Sequence, residues 1–245
     1  MDNKVTAPTS EPSELNIGED LKALVASGYD KVAAQYLVWA GPRPTTTRST
    51  FIEKLSSNLS PGARILELGC GAGVPSTQDL VRRGFSVTGV DISSAQITLA
   101  HEHVLPLAGK GQHVEFLVGD MAAMEFDVGS FAAVLAFYAL FHLPMDEQPV
   151  MLEKMVSWIK PGGYLLANLH AEEGDVHRPE WIGGVPMFSS GLGVEGIRKV
   201  LNDLVLEGKL EVLEDIVDHE KVGSFEEPFH WVYARKPCAI NSQLS

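Results

Sequence analysis

The chain has 245 residues, 45% of them hydrophobic and 21% charged, with a net charge of −13. That length supports one α/β domain with a sizeable core and a small cap. An acidic surface repels phosphate backbones and anionic lipid, which argues against nucleic acid and membrane as partners. The two cysteines, Cys70 and Cys238, form neither a disulfide framework nor a zinc pattern. The first residues are polar and no apolar run reaches membrane-spanning length, so a soluble, cytoplasmic protein is expected.

Residues 1–14, rich in Ser, Thr, Pro and charge, read as a disordered tail. A helix is predicted from Leu15 to Gly41, with Gly28 as a break and Tyr29, Ala33, Tyr36 and Ala40 at helical spacing. "GPRPTT" is a breaker, and "TRSTFIEKLSSNL" a short helix with Phe51, Ile52 and Leu55 on one side. The pattern then alternates. "RILELG", "FSVTGVDI", "HVEFLVGD", "FAAVLAFYAL" and "GGYLLANLH" read as strands. "PSTQDLVRRG", "SSAQITLAHEHV" (capped by Ser93 or Ser94) and "DEQPVMLEKMVSWIK" (capped by Asp146) read as helices. Residues 171–192 have no clear period and read as a long loop. A helix "VEGIRKVLNDLVLEG" and two strands, "KLEVLEDIVDHE" and "HWVYARK", follow. The alternation predicts a parallel sheet with helices on both faces and an antiparallel hairpin at its end.

Three successive strand ends carry acids. Glu67 precedes a G-x-G-x-G run, Gly69, Gly71 and Gly73, with Cys70 as a compact filler. A carboxylate there would oppose a pyrophosphate and suits a ligand bearing positive charge. Asp91, after the second strand, is placed to accept from ribose hydroxyls, or else to cap the next helix. Asp120, after the third, can accept from the exocyclic amine of adenine, with Ile92 and Met121 on the ring faces; a turn aspartate is the alternative. Ligands of open α/β sheets bind at these carboxyl ends.

The set "ILELGCGAG", "VTGVDIS", "VEFLVGDM", "FAAVLAFYALFHLP" and "KPGGYLLANLH" resembles the class I, Rossmann-like S-adenosylmethionine-dependent methyltransferases over roughly residues 60–170. Within that class it is similar to the small-molecule enzymes of the ubiquinone/menaquinone-biosynthesis type and their natural-product relatives. The resemblance implies a doubly wound, mostly parallel seven-stranded α/β sheet with an antiparallel C-terminal hairpin and N-terminal helices as a cap. It implies a cap over 15–60, a methyltransferase domain over 61–237 with a substrate lid at about 171–192, and a tail over 238–245. S-adenosylmethionine is the implied cofactor. The Gly69–Gly73 backbone would line its methionine and ribose, Glu67 would orient that end, and Phe137 would offer backbone to the methionine amine. Tyr29 and Tyr36, seven residues apart on one helix face, would close over the methionine carboxylate or serve only as packing. Ala132 stands where that class often has an acid, a structural loss far from the site.

The implied reaction moves a methyl group to O, N or S of a small organic acceptor, with secondary metabolism as its setting. A hydroxyl or thiol acceptor calls for a base, His142 first and His170 second. Trp39, Trp181, Met187 and Phe188 are expected to wall the acceptor pocket or to anchor the loop. His101 and His103 lack ligand spacing, and no metal site is expected. A non-methylating cyclisation or rearrangement on the same cofactor is the main alternative. A nicotinamide-dependent oxidoreductase, a non-catalytic subunit and a polymer methyltransferase are less well matched.

Overall fold

The computed structural model describes residues 17–40, 47–222 and 225–238. The segment expected to be a tail over 1–14 and the breaker at 41–46 lie outside them. In chain order the elements are α1 (Ile17–Ala40), α2 (Thr47–Asn58), β1 (Arg64–Leu68), α3 (Ser76–Arg82), β2 (Ser86–Asp91) and α4 (Ser94–Val104). Next come β3 (Val114–Val118), β4 (Phe131–Ala136), α5 (Glu147–Trp158), β5 (Ile159–His170), β6 (Glu173–Arg178) and β7 (Met187–Leu192). The last elements are α6 (Gly193–Leu206), β8 (Glu211–Val222) and β9 (Phe225–Arg235).

The main sheet has seven strands in the order β3-β2-β1-β4-β5-β9-β8. The first five are parallel; β9 adds antiparallel to β5, and β8 pairs antiparallel with β9 at the edge. Strand order reverses between β1 and β4, which opens a crevice at their carboxyl ends. The inner strands are buried on both faces: every residue of β4, "FAAVLA", is buried. One face packs α2, α3 and α4 through Phe51, Leu55, Leu80, Ile97 and Ala100. The other packs α5 and α6 through Met151, Leu152, Met155, Ile197 and Leu201.

Ser93 caps α4, accepting from the Gln96 backbone N–H at 3.1 Å. Asp146 makes no capping bond to α5, against expectation, because its own backbone is already helical there. Gly28 does not break α1, which runs unbroken through it. A Cβ at position 28 would meet Met187 Cε at 2.8 Å and the Pro186 carbonyl at 3.3 Å, so this glycine permits close approach of the strand above.

Residues 171–192 are not an irregular loop. They form a second, two-stranded antiparallel sheet, β6 with β7, joined through a single 3-10 turn over Ile182–Gly184. No alternation marks it because β6 is almost wholly solvent-facing while β7 is almost wholly buried. Val25 of α1, Met187 and Phe188 make a small separate core that joins this sheet to α1.

Candidate active site

The glycine loop leaves β1 and turns beneath the crevice. Gly69, Gly71 and Gly73 all have positive φ. At Gly69 the left-handed backbone is needed and Ala139 of the next loop lies against the missing Cβ. Asp91, 9% exposed at the end of β2, accepts from Gly71 N–H at 2.8 Å and from Ser93 N–H at 2.9 Å. One carboxylate thus ties the loop to the start of α4. Burial pushes its pKa up to about 6 against those two bonds. Glu67, 2% exposed, accepts from Thr77 Oγ1 at 2.6 Å, and burial raises its carboxyl too. Burial, with the charges of Asp91 and Glu67, keeps Cys70 a thiol.

These groups line a cavity of about 110 Å³, together with Ile92, Gln96, Met121, Phe137, Tyr29, Tyr36 and Arg48. Gln96 is 1% exposed and neither amide atom has a partner among the described residues. Gly73 does not line the cavity; it packs on Val104 and Thr77. Asp120 does not line it either. Its carboxylate takes an ion pair from Lys22 of α1 at 2.9 Å and a bond from Ala122 N–H at 2.9 Å. Lys22 also reaches Glu147 at 3.0 Å.

A larger cavity of about 570 Å³ adjoins the first and shares Tyr29, Tyr36, Ala40, Arg48, Tyr138 and His142 with it. His142 is the junction. Its Nδ1 lies 2.7 Å from the Phe188 carbonyl, which can only accept, so Nδ1 carries the hydrogen. Burial drives its pKa down to about 4, so the ring is neutral and Nε2 presents a lone pair. The Tyr29 hydroxyl, 2.9 Å away, donates to it. His170 also lines the large cavity, edge-on to Phe141 at 5.0 Å, and burial lowers its pKa as well. Trp39, Trp181 and Met187 line it. Phe188 does not: its ring is fully buried beside His177, and only its carbonyl serves the site.

The sequence did not single out several residues here. Tyr138 has φ +55°, held by its N–H donating to Asn168 Oδ1 at 2.6 Å. Its hydroxyl reaches both oxygens of Glu220 at 2.8 Å, and Arg48 lies over its ring at 5.3 Å. Asp30 bonds Ala95 N–H and Ser93 Oγ, fastening α1 to the start of α4. Arg48 and Gln96 had no local signal; each becomes notable only because the fold leaves it facing a cavity. Among the described residues there is no group of three or more His, Cys, Asp or Glu arranged to hold a metal, and no helix long and apolar enough to cross a membrane.

A doubly wound sheet with an acid at the end of β2, a glycine loop after β1 and an antiparallel strand pair at one edge defines the class I methyltransferase fold. Residues 65–163 match the family described as "Methyltransferase domain". It is 30% identical over 140 residues to phosphoethanolamine N-methyltransferase 1 of Arabidopsis thaliana, covering 57% of this chain and 27% of that one. It is 34% identical over 118 residues to a ubiquinone biosynthesis O-methyltransferase of Xanthomonas axonopodis pv. citri, covering 48% and 47%. The matched part is thus less than half the length of either relative. In fold, magnesium protoporphyrin IX methyltransferase from Synechocystis PCC 6803, solved with bound SAH, superposes with TM-score 0.65 at 17% identity, covering 89% of this chain and 100% of that one.

Proposed function

We propose that this protein is an S-adenosylmethionine-dependent methyltransferase acting on a small organic acceptor. The observation that carries the reading is the Asp91 carboxylate, locked to the glycine loop and facing a small cavity that adjoins a larger, aromatic-walled one. The donor set fits the cofactor. Asp91 would take the ribose hydroxyls, Ile92 and Met121 the faces of the adenine, and the unpartnered Gln96 amide an adjoining polar edge. Arg48, which has no ion pair among the described residues, supplies the charge a methionine carboxylate needs. Tyr29 and Tyr36 of α1 would close that end, with Gly69, Cys70, Gly71 and Phe137 in the same lining. Asp120 lies outside this cavity and is paired with Lys22, so any bond it made to the adenine amine would have to be shared with that lysine.

When bound, S-adenosylmethionine supplies a methyl group on a sulfonium for in-line transfer. The chain contributes position, dryness and a proton acceptor. His142, neutral and fixed in one tautomer by the Phe188 carbonyl, aims Nε2 at the junction of the two cavities. There it can take a proton from a hydroxyl, thiol or amine once Tyr29 yields its bond. His170, between the Phe141 and Phe229 rings, is the second candidate.

Calorimetry with S-adenosylmethionine and S-adenosylhomocysteine tests the cofactor assignment, with micromolar binding expected. Loss of the labelled methyl to an acceptor pool, with S-adenosylhomocysteine accumulating, tests transfer. Turnover without S-adenosylhomocysteine would instead support cyclisation or rearrangement on the same cofactor. No binding of either compound would sink both readings.

A further inference from the structure

Two guanidiniums face the large cavity, and they stand differently. Arg48 borders both cavities, whereas Arg178 borders only the large one. Arg178 ends β6 and, among the described residues, makes one ion pair, Nη2 to Glu227 Oε1 at 2.6 Å, and one long contact, Nη1 to Ser189 Oγ at 3.5 Å. A guanidinium carries five N–H donors in a planar fork. A one-point pair with Glu227 therefore leaves Nε–H and part of the fork without a partner among the described residues. The same cavity has an aromatic wall, Tyr36, Trp39 and Trp181, with ring centres 5.6 to 6.2 Å apart.

On the methyltransferase reading above, we propose that the large cavity takes a planar organic anion, a carboxylate or ionised phenol on an aromatic frame, and that Arg178 recognises its anionic oxygen. Arg48 is the guanidinium that also faces the cofactor side, so Arg178 is the one left for the acceptor. Its positive charge reaches inward: after burial and the neighbouring His170, it helps to hold His142 neutral, whereas at His170 the Glu227 carboxylate outweighs it. A positive field at the transfer point favours an oxyanion and opposes an ammonium. Two carboxylates border the same cavity. Glu227 is already engaged by Arg178, and Glu180 is exposed. Flat rings suit the aromatic wall.

The test uses the full chain loaded with S-adenosylhomocysteine. Trp39 and Trp181 line the cavity, while Trp158 and Trp231 are fully buried elsewhere, so quenching of tryptophan fluorescence reads probe binding. The probes share one frame: 2-naphthoate, 2-naphthylmethanol and 2-naphthylmethylammonium. A second pair, ionised 4-nitrophenolate and nitrobenzene, distinguishes a phenolate site from a carboxylate site. The anion of at least one set is expected to bind about tenfold more tightly than its uncharged partner and, in the naphthyl set, than the ammonium. Arg178→Met should erase that preference without altering S-adenosylhomocysteine affinity. Glu227→Gln, which frees the fork, should tighten anion binding roughly threefold. Equal binding within both sets, a preference for the ammonium, or a preference surviving in R178M overturns the proposal. If R178M does not fold, unchanged or weaker anion binding in E227Q overturns it. S-adenosylhomocysteine titrations and the same probes on unloaded protein keep the readings apart: anion preference without cofactor binding would remove the methyltransferase reading and leave the anion site.

Discussion

The two halves of the site are built by opposite means. The cofactor half rests on β1, β2 and β4, strands buried on both faces, and it works through backbone turns and one carboxylate. The half proposed for the acceptor rests on α1 and the β6–β7 sheet, whose own core is Val25, Met187 and Phe188. Its contacts are half-buried aromatic rings meeting edge to face, with Tyr29 touching Tyr36, His142 and Trp181 at 5.1 to 5.3 Å. The first is close-packed and tolerates little change; the second is a set of large adjustable side chains on a thin support. A common cofactor asks for the former and a particular acceptor for the latter.

The contrast can be broken first by stability. Leu66 of β1 is fully buried, and Leu66→Ala should cost about 3 kcal/mol in denaturant unfolding. Val25→Ala in the cap should cost about 1 kcal/mol. Equal losses would mean that the cap belongs to the same cooperative core.

Acid sharpens the comparison next. His142 is held near pKa 4, below its unfolded value of about 6.5. Between those values the unfolded chain binds more protons, so this residue's contribution is lost as pH falls from about 6.5 toward 4. Melting of wild type should therefore decline more over that window than melting of His142→Gln, by up to about 3 kcal/mol. Parallel declines would show that His142 is not buried neutral.

Asp91 has the opposite sign, since its pKa is raised to about 6 and its folded carboxylate protonates early. Hydroxyl donors favour the ionised form, so S-adenosylhomocysteine affinity should rise with pH until just above 6 and then level. Asp91→Asn should weaken that affinity about a hundredfold at neutral pH in calorimetry. A pH-independent affinity would separate Asp91 from the ligand.

The smallest effect is at Lys22, which ties α1 to Asp120 and Glu147. The pair is partly exposed, so Lys22→Met should cost about 1 kcal/mol or less. It should be visible mainly as faster hydrogen exchange in α1, with β1 and β4 unchanged.

Legibility in the sequence followed the same division. "ILELGCGAG" and "VTGVDIS" could be read because a doubly buried strand, a left-handed turn and a helix cap each leave a local mark. The burial of Glu67 and the place of Asp91 agree with that reading. The β6–β7 sheet was hidden: one strand is exposed and the other buried, so neither alternates. Gly28 read as a break because sequence carries no sign of the methionine packed above it. Phe188 reads as part of a pocket lid or as an anchor for its segment; its ring is core, as an anchor's is, and its carbonyl fixes a tautomer.

By itself, then, the sequence determined the alternating α/β order, the glycine turn and the acids at successive strand ends, all set by neighbours within a few residues. Tertiary structure alone decided what those acids meet. Lys22 reaches Asp120 across 98 positions of chain, Tyr29 reaches His142 across 113, and Arg178 reaches Glu227 across 49. Such contacts depend on how separate elements pack, and no local pattern encodes which charge will find a partner and which will be left facing the cavity.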